Sequence, residues 1–274
     1  MKVKANAKIN LGLYITGLDQ NNYHLLDATM LPISLYDDIE ISFNDKDEVI
    51  FINQTVPTNN TVTKALFLMK KHYKYQESFR VIINKNIPSG AGLGGGSSDA
   101  AFVMKAIVEL LNIKTSNEEL RDIALKIGAD VPFFLINKPC RMQGIGELLT
   151  PFEINKEYKF LLIKPNFAID TVKAYKKYDE IKISKKSNIQ NIINSLKEGK
   201  LINEVGNDLF IPAKELEKEL YSLEEEIKTF NPYLLTMSGS GSTLIIYDKI
   251  SKLEKIKNAL KSSKFELLQI VNIL

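Results

Sequence analysis

The 274 residues of the chain suffice for one large domain or two of ordinary size, and the single cysteine, Cys140, excludes an intramolecular disulfide. With 36 Lys plus Arg against 33 Asp plus Glu, the formal net charge of +3 does not indicate a nucleic-acid-binding protein. Residues 1–10 lack the apolar region of a signal peptide and no stretch approaches the ~20 apolar residues of a membrane span, so we expect a cytoplasmic protein with no membrane partner.

The first half of the chain mixes strand and helix patterns. Apolar residues alternate with polar ones over Ile9–Ile15, Asp38–Phe43 and Glu48–Ile52, which predicts strands. Thr61–Tyr73 has the pattern of a helix, and Phe79–Ile83 has that of a strand. Ser97–Leu111 then has the pattern of a helix that is apolar on nearly every side, and Glu118–Ile127 that of an amphipathic helix.

The second half begins after a polar, proline-containing stretch, Thr150–Tyr158, which predicts a domain boundary. Beyond it we predict a strand at Phe160–Lys164, then a helix without clear limits, and then helices at Asn188–Lys197 and Pro212–Phe230. A strand pair around Ser238–Ser242, a helix at Ser251–Ser262 and a closing strand at Glu266–Ile273 follow. This mixture predicts an α+β chain with two lobes, residues 1–152 and residues 153–274.

A glycine-rich segment separates the predicted strand Phe79–Ile83 from the predicted helix Ser97–Leu111. Five of the chain's 14 glycines fall within it, at positions 90, 92, 94, 95 and 96. Glycine permits positive φ and a close approach of the backbone to a ligand, and the amides of a helix N-terminus attract anions. The segment is therefore predicted to bind phosphate through Pro88, Ser89, Gly90, Ala91, Gly92, Leu93, Gly94, Gly95, Gly96, Ser97 and Ser98.

Other interpretations of the segment fit less well. A flexible turn with a serine helix cap does not need so many glycines in so short a stretch. A Walker A loop ends in Gly-Lys-Ser/Thr, whereas Gly95 is followed by Gly-Ser. A Gly-x-Gly-x-x-Gly match begins at Gly90, but the acidic residue at the expected distance, Glu109, falls inside the predicted helix rather than after a second strand.

The segment resembles the signature Pro-x-x-x-Gly-Leu-Gly-Gly-Gly-Ser-Ser-x-Ala-Ala of the galactokinase, homoserine kinase, mevalonate kinase and phosphomevalonate kinase (GHMP) superfamily, matched here from Pro88 to Ala101. The triple glycine followed by two serines is most similar to its diphosphocytidyl-methylerythritol kinases, from the non-mevalonate isoprenoid pathway. The resemblance implies a two-lobed α+β fold. Its N-terminal, ATP-binding lobe is expected to be ribosomal-protein-S5-domain-2-like, and a ferredoxin-like C-terminal lobe is expected to complete the substrate site.

Two further motifs of that family imply the catalytic residues. Ala-Lys8-Ile-Asn10 matches the family's opening Ala-Lys-Ile/Leu-Asn, which implies that Lys8 orients the catalytic carboxylate and that Asn10 hydrogen-bonds in the same site. Gly-Ala-Asp130-Val-Pro matches the catalytic motif, which implies that Asp130 is the general base. From the residues alone, Lys8 also fits ordinary strand alternation, and Asp130 also fits a helix cap or a turn.

Aromatic residues carry the implied recognition of the substrate's cytosine. Tyr23 and His24 match the family's Gly-Tyr-His, although Asn22 stands where the family has glycine. Tyr175 matches the second aromatic residue that encloses the base, and a core position on a helix is the alternative interpretation.

The remaining matches are shorter. Ser238, Gly239 and Ser240 belong to a Gly/Ser loop that the resemblance places near the transferred phosphate, with a plain hairpin as the alternative. Asn60 is similar in position to a residue that contacts adenine. Gly-x-Gly-Glu is present at Gly144–Glu147, whereas Cys140–Gln143 departs from the small residues that the family has there.

The resemblance implies an enzyme that uses ATP with Mg²⁺ and phosphorylates diphosphocytidyl-methylerythritol, as a monomer or weak homodimer without a tightly bound cofactor. Another GHMP-type kinase, acting on homoserine, mevalonate or a sugar, is the alternative within the superfamily. A non-catalytic nucleotide-binding module and a dinucleotide oxidoreductase are the alternatives outside it.

Overall fold

The computed structural model describes residues 1–181, 186–260 and 264–274, and the packing of the chain divides it into two compact units. The first unit comprises residues 1–7, 35–87 and 94–137, and the second comprises residues 8–34, 88–93 and 138–274. The chain therefore changes unit after residues 7, 34, 87, 93 and 137. The predicted boundary between a domain of residues 1–152 and a domain of residues 153–274 is not tested by this division and stays a prediction.

Strands and helices are interspersed along the whole chain. The strands are β1 (Lys2–Ile9), β2 (Leu13–Leu18), β3 (His24–Asn44), β4 (Glu48–Phe51), β5 (Ser78–Asn84), β6 (Cys140–Gly144), β7 (Leu148–Pro151), β8 (Lys159–Pro165), β9 (Leu234–Met237), β10 (Leu244–Tyr247) and β11 (Phe265–Asn272). The helices are α1 (Thr61–Tyr73), α2 (Gly95–Leu110), α3 (Asn117–Ile127), α4 (Val131–Ile136), α5 (Thr171–Ile181), α6 (Ile189–Lys197), α7 (Phe210–Leu216), α8 (Lys218–Lys228) and α9 (Ile250–Ala259).

Most of the predicted elements are confirmed within two residues, and two are wrong. The predicted strand Asp38–Phe43 covers only the last part of β3, which begins at His24. The predicted strand Ile9–Ile15 is interrupted, because Gly12 has φ +103° and separates β1 from β2. The predicted helix Pro212–Phe230 is divided into α7 and α8 at Glu217, which is extended at φ −135° and ψ 98°. The predicted end of the last helix, Ser262, lies outside the described residues.

In the first unit, segments of β1, β3, β4 and β5 pack with four helices. The part of β3 from Asp38 onward pairs antiparallel with β5, and β5 pairs parallel with β4. Helix α2 contacts α1, α3 and α4, and residues on most of its sides are buried, as its apolar sequence predicts. This central position fixes the N-terminus of α2, whose first two residues are Gly95 and Gly96.

Helix caps define where α1 and α3 begin. The Asn60 side chain accepts a hydrogen bond from the Thr63 amide at the start of α1. Ser116 and Glu119 form a reciprocal capping box at the start of α3. Each cap satisfies an amide that has no partner within its helix and contributes about 1 kcal/mol to stability.

In the second unit, one sheet segment carries the N-terminal motifs. The first part of β3 pairs antiparallel with β2 on one side and with β6 on the other, and β6 continues into β7. Cys140 begins β6 and its side chain is buried, and this burial raises the pKa of Cys140 to about 12.

The second sheet of the same unit has the strand order β11-β8-β10-β9, with every neighbouring pair antiparallel. When β8, β9, β10 and β11 are numbered one to four within this sheet, the order is 4-1-3-2, the βαββαβ arrangement of a ferredoxin-like sheet. Strand β8 is at least half-buried throughout and β10 is buried throughout, with α9 packed against β8 and β11. The predicted ferredoxin-like C-terminal part is therefore present. No helix among the described residues is long and apolar enough to span a membrane.

Candidate active site

The N-terminus of α2 is built to receive an anion. Gly94 precedes the helix at φ 73° and ψ 18°, a left-handed conformation that glycine adopts without strain, and it offers no side chain to cap the helix. The first intrahelical bond runs from the Ser98 amide to the Gly94 carbonyl oxygen. The amides of Gly95, Gly96 and Ser97 consequently lie in the turn whose N–H groups have no partner within the helix.

The hydroxyl groups around this turn have different roles. The Ser98 hydroxyl is fully buried and donates to the Asn6 carbonyl oxygen over 2.7 Å, so it holds the helix in place. The Thr61 hydroxyl donates to the Gly96 carbonyl oxygen over 2.5 Å and connects the starts of α1 and α2. The Ser97 side chain is half-buried, and of the two predicted serines it is the one on the accessible side.

Asn60 lies next to this connection. Its Nδ2 donates to the Pro57 carbonyl oxygen over 3.2 Å and to the Thr63 hydroxyl over 2.8 Å, while its Oδ1 caps α1. Both ends of the amide have partners in the protein, and a contact with adenine stays a prediction.

Asp130 precedes α4 in the same unit. Its backbone has φ −83° and ψ −12°, and its side chain makes no capping hydrogen bond to the helix. The carboxylate is half-buried. A Cβ on Gly128 would stand 4.0 Å from the Ser97 hydroxyl oxygen, so the Gly-Ala-Asp-Val-Pro segment begins beside the first turn of α2. The capping interpretation of Asp130 therefore has no support in this geometry.

The first part of the glycine-rich segment, Pro88–Leu93, belongs to the second unit and adjoins the loop after β9. Ser238 donates from its hydroxyl to the Gly92 carbonyl oxygen over 2.9 Å. Gly92 has φ +73°, and a Cβ there would penetrate the Ser238 carbonyl oxygen and stand 3.2 Å from the Gly241 carbonyl oxygen. Glycine is thus required at position 92 by both conformation and space.

We expect Gly92→Ala to lower the free energy of unfolding by about 2 kcal/mol or more, because φ strain and a clash with backbone atoms add. Urea unfolding measures the loss. Gly199→Ala is the matched control: Gly199 has φ +65°, yet a Cβ there meets only the Lys156 side chain at 3.4 Å. Equal losses in the two variants would contradict the role of the Ser238 contact.

Lys8 and Asn10 form a buried pair in the second unit. The Lys8 ammonium donates to Asn10 Oδ1 over 2.7 Å, and Lys8 is only 4% exposed. Asn10 Nδ2 donates to the Thr29 carbonyl oxygen over 3.0 Å, and the Asn10 amide donates to the Ser238 hydroxyl over 3.2 Å. Lys8 is therefore not the exposed residue that ordinary alternation predicts; it is held in one orientation by Asn10.

The loop after β9 is anchored by a residue that the sequence interpretation missed. Asn207 Nδ2 donates to the carbonyl oxygens of Met237 and Gly239, over 2.7 and 2.8 Å. The Ser240 hydroxyl shares a hydrogen bond of 2.8 Å with Thr171, the first residue of α5. The Gly/Ser segment is thus a loop held by side-chain hydrogen bonds with Asn207 and Thr171 rather than a plain hairpin turn.

His24 and Tyr175 lie together in the second unit. Their ring centroids are 4.7 Å apart at an interplanar angle of 30°, and His24 Nε2 is 2.8 Å from Asp179 Oδ1. Tyr23, which precedes His24 in sequence, is 62% exposed. Asn22 has φ +62°, and asparagine is among the few non-glycine residues that adopt this conformation readily, so the departure from glycine keeps the turn.

Cys140–Gln143, the other segment that departs from the family pattern, lies in β6, and its Arg141 forms an ion pair. Arg141 binds Asp27 through two parallel hydrogen bonds of 2.8 and 3.0 Å, and this pairing raises the pKa of the guanidinium. Ser187 donates to the same carboxylate over 2.7 Å. In the following Gly-x-Gly-Glu turn, the Glu147 carboxylate accepts from the Ile145 amide over 2.7 Å.

Comparison with known proteins identifies the family. Residues 60–138 match the model of the GHMP kinases N terminal domain. A 4-diphosphocytidyl-2-C-methyl-D-erythritol kinase from Clostridium tetani is 37% identical over 250 residues, which cover 89% of this chain and 89% of that protein. A protein of the same name from Thermoanaerobacter pseudethanolicus is 34% identical, over 95% of this chain and 92% of its own length.

The chain belongs to the 4-diphosphocytidyl-2-C-methyl-D-erythritol kinase family. A crystal structure of a 4-(cytidine 5'-diphospho)-2C-methyl-D-erythritol kinase superimposes with a TM-score of 0.85 at 27% identity, covering 100% of this chain and 99% of the other. The mevalonate kinase of Methanococcus jannaschii has a TM-score of 0.68 at 14% identity, covering 100% and 98%, and shares the fold.

Membership of this kinase family confirms the predicted GHMP-type α+β fold and the use of ATP. Within the first unit the structure brings together the start of α2, Thr61 and the Asp130 segment. Within the second unit it brings together Lys8, Asn10, Gly92 and the loop after β9, and separately His24 and Tyr175. The roles of these residues in this family member stay predictions.

Proposed function

We propose that this protein transfers the γ-phosphoryl group of ATP to the 2-hydroxyl of 4-diphosphocytidyl-2-C-methyl-D-erythritol, giving the 2-phosphate and ADP, in the non-mevalonate route to isoprenoid precursors. The observation that carries the proposal is the 37% identity to a kinase of that name over 89% of both chains. The residues of the candidate site also support the two parts of this reaction, the binding of the donor ATP and the binding of the acceptor.

The donor half rests on the first turn of α2. Backbone amides at an uncapped helix N-terminus bind phosphate oxygens through N–H groups and the helix dipole. The accessible Ser97 hydroxyl adds one donor to that set. We therefore assign the phosphates of ATP to the turn Gly94–Ser97.

The acceptor half rests on the aromatic group. A pyrimidine base offers a flat face for stacking and a polar edge. Tyr23 and Tyr175 offer aromatic faces, and His24 adds ring nitrogens for such an edge. Homoserine, mevalonate and simple sugars have no aromatic base that could stack there. The His24–Tyr175 pair, at 4.7 Å, thus favours a cytidine-containing substrate over these alternatives.

The chemical step needs a proton acceptor and positive charge. As the bond from the 2-hydroxyl oxygen to the γ-phosphorus forms and the bond to the β-phosphate oxygen breaks, the hydroxyl proton passes to the Asp130 carboxylate. The Lys8 ammonium stabilises the negative charge that develops, in the orientation set by Asn10. Phosphoryl transfer depends mainly on positioning and charge, and these groups are sufficient for it.

Magnesium fits the site as a companion of ATP rather than as a protein-held ion. Among the residues that the structure describes, no group of three or more His, Cys, Asp or Glu side chains could hold a metal. Mg²⁺ commonly binds through substrate phosphates and water with one or two protein oxygens. Ser97 would supply such an oxygen, and the ion would neutralise phosphate charge.

The test is ADP release from ATP and Mg²⁺ by the purified protein, with and without 4-diphosphocytidyl-2-C-methyl-D-erythritol. We expect release only with this acceptor, and phosphorus NMR should locate the new phosphate on the 2-oxygen. Release with homoserine, mevalonate or a sugar instead would identify a sister kinase. ATP binding without ADP release for any acceptor would favour a non-catalytic nucleotide-binding module.

We further propose that the protein is a monomer or a weak homodimer, a state that analytical ultracentrifugation measures.

A further inference from the structure

A buried charge cluster underlies the first turn of α2. The Lys85 ammonium forms ion pairs with Asp37 and with Asp99, the latter at 2.6 Å. The side chains of the three residues are 6%, 0% and 1% exposed. All three belong to the first unit, so the cluster is complete within one compact body.

The cluster joins three segments that have different roles. Lys85 follows β5, and Asp99 is the fifth residue of α2. The second oxygen of Asp37 accepts the backbone amides of Asn86 and Ile87, over 2.6 and 2.8 Å, and so holds the connection that leads into the glycine-rich segment.

The ammonium lies against the phosphate-binding turn itself. A Cβ on Gly95 would stand 3.3 Å from Lys85 Nζ and 2.9 Å from a methyl group of Ile87. Gly95 is the first residue of α2, and its amide is among those that lack an intrahelical partner. A displacement of Lys85 would therefore be transmitted directly to the amides assigned to ATP.

The cluster carries more negative than positive charge when both carboxylates are ionised. Asp99 Oδ1 is buried and has no hydrogen-bond partner among the described residues. Burial, which outweighs the attraction of Lys85, raises the pKa of Asp99 to about 7. Such an arrangement is costly for a purely structural purpose, since replacing a buried ion pair by apolar residues is often neutral or stabilising.

We propose that Lys85 is a positioning residue for ATP: held between Asp37 and Asp99, it fixes the first turn of α2 in the conformation that binds the triphosphate. The inference rests on the assignment of ATP to that turn. Lys85 acts through the backbone of the turn, so its loss should weaken nucleotide binding and leave the acceptor site unchanged.

The test is Lys85→Met, which keeps most of the side-chain volume and removes the charge. We expect the Kd of ATP, measured by calorimetry without acceptor, to rise about ten- to hundredfold, the scale expected for a misplaced binding group. The KM of the acceptor should stay within about threefold of the wild-type value. Lys214→Met is the matched control, because Lys214 is also a largely buried lysine, paired with Glu224 at 2.6 Å in the other unit, and it should leave the Kd unchanged.

A second variant separates positioning from stability. Lys85→Met leaves two buried carboxylates without their cation, and adding Asp99→Asn removes one of these charges. We expect the double variant to recover much of the Tm lost in Lys85→Met while the Kd of ATP stays raised. A Kd that returns to the wild-type value with the Tm, or that never changes, overturns the inference. Wild-type protein that binds ATP but uses no acceptor contradicts the proposed function alone.

Discussion

Asp130→Ala is expected to lower turnover roughly 10²–10⁴-fold, the usual effect of removing a general base. Without the carboxylate, the 2-hydroxyl has no group to accept its proton as the new bond to phosphorus forms. The KM of ATP should change little, because the phosphates are assigned to backbone amides of α2. Steady-state kinetics with the diphosphocytidyl substrate measure both quantities.

Asp122→Ala is the control for this variant. Asp122 is exposed on α3, in the same unit as Asp130, and its removal should leave turnover unchanged. Circular dichroism should show that both proteins are folded, since the Asp130 side chain does not cap α4. Asp130→Ala with wild-type turnover would refute the assignment of the base.

Lys8→Met should reduce turnover by a comparable factor through loss of positive charge. The unbranched apolar side chain of methionine fills the space of the lysine stem, so the protein is expected to fold. The Lys8 ammonium donates a hydrogen bond to Asn10 Oδ1, and Asn10 would lose that partner. Turnover and a far-ultraviolet circular dichroism spectrum, measured on the same preparation, separate catalytic loss from unfolding.

Lys4→Met is the matched control, because Lys4 lies on the same strand β1 with an exposed side chain. It should retain full turnover. Restoration of Lys8→Met activity to wild-type level at saturating substrate would show that Lys8 contributes to binding alone, contrary to the role proposed for it.

Local signals were sufficient for much of the fold. The limits of α1 were predictable because its apolar residues have helical spacing and Asn60 caps its first turn. The start of α2 was predictable within two residues, because the predicted start, Ser97, follows the last glycine and the helix begins at Gly95. The division at Glu217 was not, since neither glycine nor proline marks it and the flanking residues favour a helix.

The candidate site likewise contains residues that the sequence predicts and residues that it does not. The amides of α2, Lys8, Asp130 and the aromatic group could be named because each belongs to a contiguous motif. Lys85, Asp37 and Asp99 could not, because ordinary charged residues 48 and 14 positions apart have no sequence pattern that links them. Asn207 was missed for the same reason, as its contacts to the loop after β9 depend on tertiary structure.

The 4-1-3-2 order of the second sheet has a consequence for synthesis of the chain. Strand β11 is at one edge of that sheet and pairs with β8 from Asn272 opposite Lys159 to Leu267 opposite Lys164, with a register shift before Phe265. Until the ribosome has made β11, one edge of β8 therefore stays open, with Phe160, Leu161, Leu162 and Ile163 along it. A short apolar strand with an open edge is a template for intermolecular pairing. A nascent or truncated chain that lacks β11 would depend on chaperones to remain unaggregated.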